Sequence, residues 1–220
     1  LNNMGAKIYG AGTSEITIYG VEKLGFARVE VIPDRIEAGT YMIIGALLGN
    51  NLVINDIIRE HNEALYSKLK DMGVDIQITD NCAIINKTDN LKPVNIRSLV
   101  FPGFVTDLGQ PMQVLLTQAA GESVFEETIF ENRMSHIPYL QKMGADMELI
   151  CQTVKIKGKS YLTGTNVEAT DLRAGAAMIV AGLIAKGTTE VSKIEHILRG
   201  YDNIVEKLNA VGANIKIVEE

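Results

Sequence analysis

The stretch LKDMGVDIQI, Leu69–Ile78, decides the fold. A leucine is followed three positions on by an apolar Met72, then by Gly73, a small apolar residue and an alternating run. That order ends a helix, turns on a glycine in the left-handed region and starts a strand. The pattern recurs as LNNMGAKI from Leu1, LQKMGADMEL from Leu140 and LNAVGANIKI from Leu208. The four glycines, Gly5, Gly73, Gly144 and Gly212, are separated by 68, 71 and 68 residues by subtraction. A long and regular period of this kind marks a repeated supersecondary unit.

Working outward from the tag completes the unit. Upstream lies an amphipathic helix: Leu65, Leu69 and Met72 are spaced i, i+4, i+7, as are Ile204, Leu208 and Val211. Ile137, Leu140 and Met143 follow a similar stripe, with Pro138 in the first turn, where it is tolerated. Further upstream come more apolar helices, Thr40–Leu48, Pro111–Ala120 and Ala174–Ala185, each followed by a short strand, LVIN, SVFE or TEVS. Strand-like runs with turns, VEVIPDRI, SLVFPGFVTDL and NVEATDL, precede those helices. A second strand follows the tag in EITIYGV, AIINK and VKIKG. The unit therefore reads β-α-β-α-β-β, with copies at about 33–96, 97–165 and 166–220. Leu1 to about Lys23 holds only the tail of an earlier copy, and the last copy stops after its tag strand. These ends predict a fragment of a longer protein.

Composition narrows the class. The chain has 220 residues, 46% of them hydrophobic and 22% charged, enough for a sizeable aliphatic core without Trp. A net charge of -6 argues against nucleic acid or an anionic membrane as the main partner. No apolar run reaches the roughly 18 residues of a membrane span and no signal peptide is visible, so a cytoplasmic location is expected. Cys82 and Cys151 read as plain buried thiols. His61, His136 and His196 lack metal-ligand spacing, and neither G-x-x-x-x-G-K-[ST] nor G-x-G-x-x-G is present. No metal and no cofactor is expected.

The charges carry the functional signal. Parallel strands joined by right-handed crossovers start both helices of a unit at one edge, where ligands of open α/β sheets bind. Asp34, Asp107 and Asp171 each open an apolar helix, 14 to 16 residues before its closing glycine. Arg59, Arg133 and Arg199 fall 14, 11 and 13 residues before the tag glycine, at the entrance to the second helix. Helix N-termini attract anions, and Arg133 and Arg199 add charges suited to phosphate or carboxylate. The spacing thus predicts an anion site beside one or two carboxylates, fit for group transfer. Taken singly, an Asp at a helix start is usually a cap, and a lone Arg is as readily half of an ordinary salt bridge.

The segments FPGFVTDLGQPMQ, ETIFENRMSHIPYLQKMGA, ATDLRAGAAMIVAGLIAKGTT and HILRGYDNIVEKLNAVGA resemble, over essentially the whole chain, the second half of the UDP-N-acetylglucosamine 1-carboxyvinyltransferase family of enolpyruvyl transferases. The resemblance implies an inside-out α/β barrel: β-α-β-α-β-β repeats around buried helices, two domains, and an active site in the cleft between them. It implies that residues 1–32 close the preceding domain and that residues 33–220 form most of the second. Its substrates would be phosphoenolpyruvate and UDP-N-acetylglucosamine, its product a step of peptidoglycan synthesis. Asp107 resembles the base and sugar-contacting aspartate. Arg133 and Arg199 resemble the arginines that hold phosphoenolpyruvate, with Arg199 counted as catalytic beside Asp107. Asp171 and Arg173 resemble a charged pair lining the cleft, and Ile129 a backbone contact to the nucleotide sugar. The family's proton-donating loop cysteine and catalytic lysine belong to the half outside this sequence, so this chain alone is expected to be inactive. The other readings are an enzyme like 5-enolpyruvylshikimate-3-phosphate synthase, which shares the fold, and a non-catalytic anion-binding module. The stub strands AKIYG and EITIYG also make a strand swap conceivable.

Overall fold

The computed structural model of the protein describes residues 1–218, which form two compact units, Leu1–Ile32 and a larger one from Pro33 onward. In the first, β1 (Lys7–Tyr9) pairs antiparallel with β2 (Thr17–Tyr19), Ile8 facing Ile18.

The larger unit runs through α1 (Arg35–Leu48), β3 (Leu52–Asn55), α2 (Glu63–Asp71), β4 (Asp75–Ile78), β5 (Cys82–Asn86) and β6 (Asn95–Arg97). It continues with α3 (Gly109–Leu116), β7 (Gly121–Glu126), α4 (Ile137–Lys142), β8 (Asp146–Ile150), β9 (Thr153–Gly158) and β10 (Asn166–Glu168). It ends with α5 (Leu172–Ile184), β11 (Glu190–Ser192), α6 (Glu195–Leu198) and α7 (Ile204–Ala210). The helices α1, α3 and α5 pack on one another at the centre. Met42, Ile43, Met112, Leu115, Ala177 and Met178 on these helices are completely buried. Each such large aliphatic side chain contributes about 1.5–3 kcal/mol by leaving water, which is why helices this apolar sit inside. Gly175 serves that packing: a Cβ there would collide with Ile197 and Ala169, so α5 reaches α6 only as glycine.

Sheets surround the helices in the order β3-β5-β4, β6-β7-β9-β8 and β10-β11. β6 with β7 and β10 with β11 are parallel, whereas β5 runs antiparallel to β3 and β4, and β9 antiparallel to β7 and β8. The four tag glycines all take positive φ, from 83° to 104°, as a helix-to-strand turn requires.

Several expectations are corrected. VEVIPDRI forms no strand: Val29 and Val31 are exposed and unpaired in a ladder, and Arg35 already belongs to α1. The last tag is followed by no strand either; Ala213–Ile217 runs without a ladder. Alternation proposes a strand, but only a hydrogen-bonding neighbour makes one. Part of SLVFPGFVTDL is a turn beyond β6, held by a single bridge from Ser98 to Phe104. Cys151 is exposed at a turn with φ 55°, and Cys82 is half-buried, so neither is the buried thiol expected.

Candidate active site

The parallel pairs explain why distant charges meet. Asp107 follows β6 and Arg133 follows its parallel neighbour β7; Asp171 and Arg173 follow β10 and Arg199 follows β11. All four loops leave carboxyl ends of strands, the edge where α/β proteins bind ligands. Asp107, Ile129, Arg133, Asp171, Arg173 and Arg199 together line one cavity of about 730 Å³.

The three helix-entry aspartates differ in what they do. Asp34 caps α1, its Oδ1 accepting from the amides of Ile36 and Glu37 at 2.7 and 3.2 Å. Asp171 caps α5 in the same way, accepting from Arg173 and Ala174 at 2.7 and 2.9 Å. Asp107 makes no cap. It sits in a 3-10 turn ahead of α3, with no side-chain hydrogen bond to that helix. Its Oδ1 meets Arg133 Nη1 at 2.6 Å and its Oδ2 meets Arg173 Nη2 at 2.9 Å. Burial raises its carboxyl pKa, but the guanidinium groups of Arg173 and Arg133 more than offset that and hold it below the ordinary carboxylate range. Asp107 thus stands at the entrance of its helix as expected, but its carboxylate makes ion pairs in place of a cap.

The arginines also differ. Arg133 is fixed on three further sides: Nη1 donates to Thr106 Oγ1 at 2.9 Å, the Phe130 ring lies 4.5 Å from its guanidinium carbon, and Gln110 Nε2 donates to its carbonyl at 3.1 Å. Arg173 lies 6.0 Å from the ring centre of Tyr201, whose hydroxyl meets Thr40 Oγ1 on α1 at 2.9 Å. Arg199 closes α6 and faces the cavity with no ion pair among the described residues. Arg59 pairs at the surface with Glu63 and does not line the cavity. Among the described residues the site therefore offers one guanidinium without an ion pair and two more engaged by a carboxylate, a pattern that accepts an anion by exchange of partners.

Ile129 is a cavity residue whose amide is spent on Glu127 Oε1 at 2.8 Å, so that amide is not available to a ligand. Sequence reasoning passed over Thr106, Gln110, Glu127 and Tyr201. His136, read only for metal spacing, is fully buried and bonded through Nε2 to Gln113 at 3.1 Å. Burial pushes its pKa down to about 3 against the opposing pull of Asp171. The one local signal for this shell was the run of polar residues in an otherwise apolar helix, Gln110 and Gln113 of α3.

A family model described as EPSP synthase (3-phosphoshikimate 1-carboxyvinyltransferase) matches residues 1–208. The chain belongs to this family. It is 48% identical over its whole length to UDP-N-acetylglucosamine 1-carboxyvinyltransferase 2 of Lactococcus lactis subsp. lactis (strain IL1403), and 49% identical to the protein of that name in Streptococcus pyogenes serotype M1. It covers 52% of each, and so spans about half the length of the curated relatives it matches. Among solved structures, the enolpyruvyl transferase NikO from Streptomyces tendae superposes with a TM-score of 0.85 at 28% identity, covering 98% of this chain and 52% of that one. EPSP synthase from Acinetobacter baumannii superposes at 0.76 and 20% identity, over 100% of this chain and 54% of that one, a likeness of fold. The inside-out α/β architecture of the enolpyruvyl transferases is therefore the fold of this member of the family.

Proposed function

We propose that the protein carrying this chain transfers the enolpyruvyl group of phosphoenolpyruvate to the 3-hydroxyl of UDP-N-acetylglucosamine, the first committed step of peptidoglycan synthesis. The chain would supply the second domain, with residues 1–32 closing the preceding one, and one wall of the substrate cleft. The carrying observation is the convergence of Asp107, Arg133, Arg173 and Arg199 on one cavity.

In this reading Arg199 and Arg133 bind the phosphate and carboxylate of phosphoenolpyruvate. Asp107 accepts the proton of the sugar hydroxyl as its oxygen bonds to the central carbon of phosphoenolpyruvate while the methylene carbon takes up a proton, giving a tetrahedral adduct. Phosphate then leaves with the electron pair of its C–O bond, and the new methyl group gives up a proton to restore the double bond. Held by two guanidinium groups, Asp107 is ionised but a weak base. An anionic substrate that draws Arg133 and Arg173 away raises its basicity at the moment a base is needed. Asp171 holds the entrance of α5 beside Arg173, and Ile129, its amide already taken by Glu127, contacts the nucleotide sugar through its backbone carbonyl. The proton donor to the enol carbon, a cysteine, and a lysine come from the remainder of the protein, so this chain alone turns nothing over. A cytoplasmic location, where both substrates are soluble metabolites, fits; no helix among the described residues is long and apolar enough to cross a membrane.

The test completes the chain with the remaining half of its Lactococcus lactis relative and follows phosphate release from phosphoenolpyruvate. Release with UDP-N-acetylglucosamine and none with shikimate 3-phosphate is expected. The reverse preference would identify a synthase of the shikimate type. Phosphate binding without release from either acceptor would identify a non-catalytic anion-binding module.

A further inference from the structure

We infer that Glu127 is a positioning residue, a buried carboxylate that sets Arg133 through the hydroxyl of Thr106 and fixes the Ile129–Phe130 turn at the cavity mouth. Glu127 is 2% exposed and no cation pairs with it among the described residues. A carboxylate is almost never buried so fully without compensation. The compensation is four donors. Oε1 accepts from Ser98 Oγ at 2.8 Å and from the amides of Ile129 and Phe130 at 2.8 and 3.2 Å; Oε2 accepts from Thr106 Oγ1 at 2.7 Å.

The directions of these bonds are forced. Thr106 has one hydroxyl hydrogen, given to Glu127, so its lone pair faces Arg133 Nη1 at 2.9 Å. Ser98 likewise gives its hydrogen to Glu127 and accepts from the amide of Thr128 at 2.8 Å. Replacing Oε2 with the NH2 of a Gln keeps an acceptor for Ser98 and the two amides but gives Thr106 a donor in place of its acceptor, so Thr106 turns its hydrogen toward Arg133, where it repels the guanidinium. The turn beyond Glu127 also carries Phe130, whose ring supports the same guanidinium. One side chain thus sets Arg133 from two directions without touching the cavity.

The inference about order at Arg133 stands on geometry alone; its effect on turnover rests on the function proposed above. Arginine side-chain NMR on the 220-residue chain reports whether each guanidinium is held or turns freely. Arg133 should be held most firmly in the parent chain and in Thr106→Ser, which keeps the hydroxyl, and should turn markedly faster in Thr106→Val and Glu127→Gln although the Asp107 pair remains, with Arg173 unaltered. Should Glu127→Gln fail to fold, Thr106→Val decides. An Arg133 that stays held in the folded variants overturns the inference. In the completed enzyme, both variants should raise KM for phosphoenolpyruvate about 10-fold and lower kcat about 10-fold, a loss of about 100-fold in kcat/KM. A merely structural loss lowers kcat through fewer active molecules and leaves KM unchanged, and that result overturns the positioning role. A completed parent enzyme without activity, alongside the expected NMR behaviour, counts against the proposed function and supports the positioning of Arg133 by Glu127.

Discussion

Asp107 Oδ1 lies 2.6 Å from Nη1 of Arg133, and Arg173 closes the other side of the same carboxylate at 2.9 Å. Two of the three guanidinium groups of the cavity are therefore occupied by an internal anion, and any incoming phosphate competes with it.

Asp107→Asn removes the competitor. Phosphate should bind the chain about 10-fold more tightly by titration calorimetry, since each pair broken by the ligand otherwise opposes binding. The same change leaves two largely buried guanidinium groups unpaired and should lower stability by about 1–2 kcal/mol in urea unfolding, less than a fully buried pair because solvent reaches the carboxylate. Unchanged phosphate affinity would contradict the competition.

The caps separate structure from binding. Asp34→Ala and Asp171→Ala should each cost about 1 kcal/mol of stability, because each deletes an acceptor for two helix amides. Only Asp171→Ala should change phosphate affinity, since Asp34 does not line the cavity. Equal changes of affinity in both variants would show that the effect is a general loosening.

Stability should fall with acid in two stages. His136 is neutral in the folded protein down to about 3, whereas an unfolded histidine takes up a proton below about 6.5. Between those values the unfolded chain holds the extra proton, so stability is lost as pH falls from about 6.5. From pH 7 to pH 5 the loss is about 2 kcal/mol, at about 1.4 kcal/mol per unit. His136→Gln should remove this slope in urea unfolding. Asp107 acts lower: its folded pKa is depressed, so its contribution is complete above about 3.9 and disappears as pH falls below that value.

Local chemistry was legible in the sequence, and pairing was not. The tag glycines stand out because a left-handed turn between helix and strand has few solutions besides glycine. One companion signal went unread. Asn2, Gln141 and Asn209, each one residue past a tag leucine, bond the backbone of Ile8, Met147 and Ile215, six residues on, and so tie the helix end to the extended segment after the glycine. Asp107, Asp34 and Asp171 look alike in spacing, yet the 3-10 turn at Thr106–Leu108 aims Asp107 away from the helix and into Arg133 and Arg173. Glu127 reads as the polar end of a strand, because its four donors come from three separate segments. VEVIP and NIKI alternate as strands should, and only the missing ladder partner shows otherwise.

Phosphate release by the chain completed with the other half of its relative, measured with and without Arg199→Ala, tests the central claim most directly. Arg199 has no ion pair among the described residues, so its removal should leave folding intact while release from phosphoenolpyruvate and UDP-N-acetylglucosamine falls at least about 100-fold. Release at the parent rate in folded Arg199→Ala, or no release from the completed parent, would contradict it.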